Sequence, residues 1–440
     1  MLRFDEAFRR ELQGNWLPLA TAFSCLLFGL SSSAFAAPFL FPEVIAEFGW
    51  SREQATLLAS FKYAFASVSA LIFGLVIDRI GVWLALSLLM TLAGAAMVMW
   101  IWIANLPMYY LSGAMTGIAV GGGGIALKVL VARSFHISHG TAMGIVLMGS
   151  ATAGTLIPII ISLLISKLGW RYGFAAMSLS IWFIVIPFLI MGYRRSKKSP
   201  VKQASREPDE TATAAATTGD QASLLARIRG TLGNRTFWII ALGGLIISAV
   251  DAAFFQHQVL ILKDFNYSPA AVVSIVSVMG LISVGARLVS GNILDSSSNR
   301  GLAGLYIALL ASCVIAPFLA FPLVLMSFVL LRAFGHAAVL LDTTVMTKHA
   351  FGNTKSLGML YGFMAVLSNV GNAAGPWIMG RIFDVTGSYD LAYVTLAGLT
   401  MAAVVLALNI HPAYWLAVNQ KAKNRQPAVQ AQTIPVEPRS

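Results

Sequence analysis

The chain has little charge. Of its 440 residues only 11% are Asp, Glu, Lys or Arg, whereas 58% are hydrophobic. A soluble domain carries roughly 25% charged and 45–50% apolar residues, so a water-soluble globular fold is excluded for want of polar surface. Cysteine is nearly missing too. Cys25 and Cys313 are the two present, too few for a disulfide framework or a Cys-based metal site. No His-Glu-x-x-His, no Gly-x-Ser-x-Gly and no metal-ligating cluster occurs, so the sequence carries no enzyme signature and implies no metal or cofactor.

What the chain has instead is long apolar runs. Twelve segments approach the about 17–25 residues that one membrane helix needs. Their approximate limits are 16–40, 54–77, 82–103, 106–132, 140–165, 171–192, 236–259, 269–293, 302–320, 323–347, 355–380 and 390–410, numbered here as spans 1 to 12. Span 1 exceeds the roughly 7–15 residues of a signal-peptide core and runs on through "AFAAPFLF", so it reads as a retained helix.

Twelve spans place both termini on one side. That side receives 21 of the 30 Lys and Arg, the other side receives five, and Lys62, Lys128, Arg287 and Arg332 fall within spans. Excess Lys and Arg mark the cytoplasmic face. The expected location is a cell membrane, bacterial inner membrane by type, with both termini cytoplasmic. The lipid bilayer is then the solvent of the fold and nucleic acid is not a partner, despite a net charge of +12.

Residues 194–235 break the pattern. "YRRSKKSPVKQASREPDETATAAATTGDQAS" is polar and Ala/Thr-rich, without enough apolar surface to fold alone. It divides residues 1–193, with six spans, from 236–411, with six more, and 412–440 form a polar tail. The halves repeat. Gly74 and Asp78 in "GLVIDRIG" recur as Gly291 and Asp295 in "GNILDSSS", both 217 residues on. Gly140/Gly358, Gly144/Gly362, Pro158/Pro376 and Gly169/Gly387 are each 218 apart. Parallel six-helix repeats point to a rocking carrier with its site between the halves near midplane. The fold class is therefore an all-α integral membrane protein of twelve transmembrane helices in two six-helix bundles, expected to work as a monomer.

At "GLVIDRIG" the chain resembles the major facilitator superfamily, whose loop pattern is Gly-x-x-x-Asp-Arg-x-Gly. Val82 and Trp83 replace its later basic residues, and Ser296 replaces a basic residue in the second copy. "EFGWSR" (47–52), "LGWRYGF" (168–174) and "GPWIMGRIFDVTGSYD" (375–390) resemble the monocarboxylate transporter and oxalate/formate antiporter branch. The resemblance covers about residues 16–410. It implies secondary transport of a small organic anion, a monocarboxylate, with a proton as coupling ion, or else exchange of two carboxylates. It also implies a conformational latch at Gly74, Asp78, Arg79, Gly81, Gly291 and Asp295.

The ionisable residues inside spans are the candidate site. Arg287, in "SVGARLVSGNILD", matches the arginine that in this branch meets the substrate carboxylate, a task suited to a planar guanidinium fork. Its bland alternative is a snorkelling arginine above Asp295. Ser283 stands where proton-linked relatives often carry an aspartate. Asp251 either supplies the missing proton site or is a static partner for Arg332 or Arg287. Arg332 and His336 lie four apart, on one helix face, and form a second anion clamp, a proton site, or a structural network with Asp342. Lys62 either lines the cavity or snorkels outward. Asn369 either hydrogen-bonds substrate or joins helices. His257 is expected to face water. The branch's usual lysine near span 11 is missing, which argues against oxalate. Tyr63, Phe254 and Phe255 are aromatic candidates for a larger acid.

The run "GIAVGGGGIALKVLVARS" (117–134) looks at first like a phosphate loop. It lies inside span 4, without the strand such a loop requires. Gly113, Gly117, Gly121 and Gly124 instead predict a smooth packing stripe, and Lys128 is expected to snorkel.

Overall fold

The computed structural model describes residues 6–135, 138–198, 233–296, 299–339, 342–351 and 357–410. Most of the expected linker, the tail and Lys355 lie outside the described residues, as does the side chain of Asp295. Among the described residues every regular element is helical.

Among the described residues ten helices are long and apolar enough to cross a membrane: Arg9–Phe48, Arg52–Ile80, Val82–Trp102, Leu106–Ser134, His139–Lys197, Arg235–Asp264, Pro269–Leu294, Asn299–Phe318, Pro322–Val339 and Asp390–Leu408. His139–Lys197 holds two crossings, because Gly169 turns the chain at φ 75°. Leu357–Thr386 is a further long helix. The twelve expected spans are all found.

Three departures from the expected limits have local causes. Span 1 is longer at both ends and contains Pro18, Pro38, Pro42 and a π-helical stretch at Cys25–Ser31. Proline is tolerated there because neighbouring helices and local π adjustments satisfy the freed backbone groups. Span 6 carries a second π-helical stretch, Ile181–Val185. Span 10 is two helices, Pro322–Val339 and Asp342–Phe351, with Asp342 in the first turn of the second, where a carboxylate complements the helix dipole.

The apolar core forms two clusters. One is built from spans 1–6, with Val259, Leu260 and Leu262 of span 7 and Val272 and Val276 of span 8. The other lies within spans 7–12. Small residues let helices approach. A Cβ on Gly113 would fall 2.8 Å from the Leu58 carbonyl, on Gly117 2.2 Å from the Lys62 carbonyl, and on Gly121 2.0 Å from the Ala66 carbonyl. Leu58, Lys62 and Ala66 are four apart, so one face of span 2 lies on the span 4 stripe. Gly124 meets nothing within 4 Å. The expectation for Gly124 is corrected: the contact with span 2 passes instead to Gly122, whose Cβ would meet Phe73 at 2.8 Å, and Gly124 lies off that face.

Two faces of the bundle can be named by their turns. The Gly49 face holds the turns at 49–51 and 387–389, and the Gly81 face holds the turn at Gly81. Between the halves, spans 2 and 11 meet near the Gly49 face. Ser60 Oγ donates to the Ala373 carbonyl and Thr56 Oγ1 to the Pro376 carbonyl. A groove of about 540 Å³ runs alongside this contact, lined by Leu57, Ser60, Ser67, Val366, Asn369 and Trp377 among others.

Candidate functional site

Spans 1, 5, 7, 8 and 10 enclose a central cavity. Its wall is apolar at Phe35, Ala151, Gly154, Phe255, Val276 and Met279 and polar at Ser150, Gln258, Ser283, Arg287, Arg332 and His336. Gly280 makes the crossing of spans 5 and 8 possible, since a Cβ on it would stand 2.4 Å from the Gly154 carbonyl. The cavity is tight, with about 20 Å³ of room for a water-sized body.

The cations on this wall are not equivalent. Arg332 Nη2 donates to Asp251 Oδ1 at 2.8 Å, and His336 Nδ1 lies 2.8 Å from Asp251 Oδ2. Asp251 and Arg332 are buried, whereas the His336 side chain keeps 19% of its surface exposed. Phe255 stacks on the His336 ring at 5.5 Å. Phe254 packs beneath the Arg332 guanidinium at 5.0 Å. Asp251 thus holds both Arg332 and His336 of span 10 in place. Arg287 is different: it is part-buried and, among the described residues, has no carboxylate partner. Its Nε, Arg332 Nη1 and both polar atoms of Gln258 are buried without a hydrogen-bond partner among those residues. Buried polar groups left open are costly, and here they converge on one cavity.

Other expected positions fall elsewhere. Lys62 is buried rather than snorkelling, and it lines a cavity inside the first bundle with Ser33, Leu58, Trp100, Gly113, Thr116 and Phe174. That lining shares no residue with the Arg287 cavity, because Lys62 lies on the face of span 2 turned toward span 4. Asn369 borders the groove between spans 2 and 11 instead. Asp342 does not join Arg332 or His336: it accepts from Tyr306 Oη at 2.6 Å and from the Thr343 N–H. Lys128 is exposed. Of the latch residues, Asp78 pairs with Arg133 at 3.2 Å within the first half. Gly81 turns the chain at φ 83°, Gly74 is exposed and a Cβ on it would meet nothing within 4 Å, and Arg79 is exposed. Gly291 sits inside the span 8 helix, facing the half-buried side.

A closed gate at the Gly49 face was missed in the sequence. Arg52 Nη1 and Nη2 grip Asp264 at 2.6 and 2.7 Å, and its guanidinium lies 3.6 Å from the Phe383 ring centroid. Asp384 accepts from the Arg52 and Glu53 N–H groups at 3.0 and 2.8 Å, capping the start of span 2 from across the interface. Glu53 in turn accepts from Trp377 and Arg381. His257, expected to face water, is fully buried here. The Pro376 carbonyl can only accept, so His257 Nε2 donates to it at 2.9 Å, and in the neutral ring Nδ1 accepts from Tyr389 Oη at 2.7 Å. Burial raises the Tyr389 hydroxyl above its ordinary range and keeps it a donor. Arg52 Nη1 donates to the same oxygen at 2.9 Å. The signal was present: Arg52 closes "EFGWSR", and Asp384 and Tyr389 lie in "FDVTGSYD". What was missing was the pairing between them. Glu47 of the first of these stretches meets Trp170 and Arg171 of "LGWRYGF".

A closed gate at one face and a polar cavity lined by both halves fit a membrane carrier built of two half-bundles. The Major Facilitator Superfamily profile matches residues 21–350. The chain belongs to the Major Facilitator Superfamily. This transporter superfamily accounts for the repeat, the two clusters and the multi-pass membrane architecture. Among solved structures the chain is similar to a bacterial homologue of the human lysosomal transporter Spinster, inward-facing and unoccupied. That pair has TM-score 0.67 and 16% identity, with 96% of this chain and 98% of that chain covered. It is also similar to the nucleoside transporter NupG, at TM-score 0.70 and 13% identity, with 90% and 99% covered. Likeness at this level of identity establishes the fold. No curated protein matches the chain in sequence. Within the superfamily fold, the chain's own residues must therefore carry the argument about substrate.

Proposed function

We propose that the protein moves a small organic anion, a monocarboxylate, across a cell membrane by alternating access with proton symport. The observation that carries this is Arg287. Its guanidinium faces the central cavity beside Ser283 and Gln258 and, among the described residues, meets no carboxylate. Arg332 is already neutralised by Asp251, so Arg287 is the arginine of this wall that keeps an uncompensated positive charge. One carboxylate matches it. A dicarboxylate would bring a second negative charge to an apolar wall, where an unpaired charge is very costly.

Asp251 and His336 are the proton-coupling pair in this reading, and His336, with its cavity-facing edge, is the entry point for the proton. Arg332 and Arg287 are the substrate-side cations. The branch-like stretches "EFGWSR" and "GPWIMGRIFDVTGSYD" support assignment to the monocarboxylate and oxalate/formate branch. The Lys/Arg excess supports a cytoplasmic Gly81 face, so that the closed Gly49 gate is the outer one.

The test is uptake into liposomes of labelled formate, lactate, pyruvate, oxalate and benzoate, with and without an inward proton gradient. The expected result is monocarboxylate uptake raised by the gradient and brought to background in Arg287→Ala. Uptake of none of these acids, or full uptake by Arg287→Ala, overturns the proposal. Gradient-independent exchange of preloaded carboxylate replaces symport with antiport.

A further inference from the structure

Lys62 presents a separate problem. Its ammonium is buried in the first bundle, 6% exposed as a residue, and stands 4.7 Å from the centroid of the Tyr63 ring. An aromatic face compensates a desolvated cation only in part. A buried charge is otherwise paired or coordinated. Among the described residues no carboxylate reaches it. Asp251 is held by Arg332 and His336, Asp342 by Tyr306, Glu47 by Arg171, and Glu53 by Trp377 and Arg381.

The cavity beside Lys62 is formed by spans 1, 2, 3, 4 and 6. Ser33, Ala37, Leu58, Ala59, Met97 and Trp100 are on its wall, and none of the lining residues is acidic. Gly113 lines it as well, so the missing side chain that seats span 4 against Leu58 also leaves space. The room is about 30 Å³ for a water-sized body. One water needs about 10–15 Å³ by that measure. A halide fits such a space with the wall as it stands.

We infer that the Lys62 cavity is a binding site for a small monovalent inorganic anion of halide size, separate from the central cavity. The anion supplies the counter-charge that the first bundle lacks, and it stays with that bundle while the halves rock. The site does not depend on the monocarboxylate reading, since it lies wholly in one bundle.

The test is thermal unfolding of the detergent-solubilised full chain against sodium bromide at constant ionic strength, with sodium gluconate as balance. Wild type should show a saturable rise, about 2–4 °C at roughly five times the Kd. Lys62→Met should lose the rise, whereas Lys128→Met, at an exposed lysine, and Arg287→Ala should keep it. A rise of equal size in Lys62→Met, or none in wild type, overturns the inference. Should Lys62→Met not fold, bromide anomalous scattering from crystals of the wild-type chain decides: a peak beside Lys62 supports the site, and its absence refutes it. Stabilisation by formate or lactate but not by bromide also overturns it, in favour of a carboxylate site. Loss of carboxylate transport in Arg287→Ala with the bromide response intact separates this site from the central one.

Discussion

Asp251 gives one carboxylate oxygen to Arg332 and the other to His336. A carboxylate so engaged is expensive to remove. Breaking a buried pair from one side costs about 3–5 kcal/mol, because the remaining charge loses its partner in a poorly solvating interior. Asp251→Asn should therefore lower the thermal midpoint clearly and abolish proton-stimulated uptake. The double variant Asp251→Asn/Arg332→Gln should recover part of the stability without recovering the proton response. Thermal unfolding and pH-dependent uptake measure the two parts separately. A single variant as stable as wild type would show that the pair contributes little.

Spans 4 and 11 show the same device at the scale of elements. Gly117 and Gly121 sit on the carbonyls of Lys62 and Ala66, and Gly375 sits on the carbonyl of Ala249 in span 7, where a Cβ would come within 2.0 Å. The obstructing atoms are backbone, which cannot step aside as a flexible side chain does. Gly117→Ala, Gly121→Ala or Gly375→Ala should each force the helices apart and lower the melting temperature. Gly124→Ala meets nothing within 4 Å and should be neutral or stabilising by up to about 1 kcal/mol, since alanine is the better helix former. Four single variants compared in one unfolding assay test the contrast. Equal effects at Gly121 and Gly124 would contradict the packing account.

At the scale of the whole molecule, Arg52 joins three elements of the second half: Asp264 at the end of span 7, Phe383 and Tyr389 at the two sides of the Gly387 turn. A bidentate guanidinium–carboxylate bond is among the strong hydrogen-bonded pairs, and it exists here only while the Gly49 face is closed. Removing it takes differential stability from the closed state and shifts the population toward the opposite opening. Both natural cysteines are buried, so a reporter at Ser60→Cys can be labelled with little background. Arg52→Ala should raise its labelling by an impermeant maleimide by about tenfold, which corresponds to about 1.4 kcal/mol. The charge-swapped pair Arg52→Asp/Asp264→Arg should return it toward the original rate. Unchanged labelling in Arg52→Ala would mean that the gate is held by the Asp384 cap and the span 2–span 11 contacts alone.

The sequence by itself determined the membrane, the twelve crossings, the two-fold repeat and the superfamily. The first three follow from patterns local to the chain: apolar length against bilayer thickness, charge on alternate loops, and Gly and Pro held in step over 217–218 residues; the superfamily follows from the resemblance at "GLVIDRIG". It also placed Arg332 and His336 on one helix face, because four residues make about one turn. Only the tertiary structure decided which helix each face meets. That is why Lys62 parted from Arg287, why Asn369 fell in a groove, and why His257 closed a buried chain to Tyr389 instead of meeting water. Spacing along one helix fixes an angle about its axis, whereas proximity between helices depends on their rotation and crossing. Those are set by packing contacts, many of them at glycines, between residues far apart in the chain.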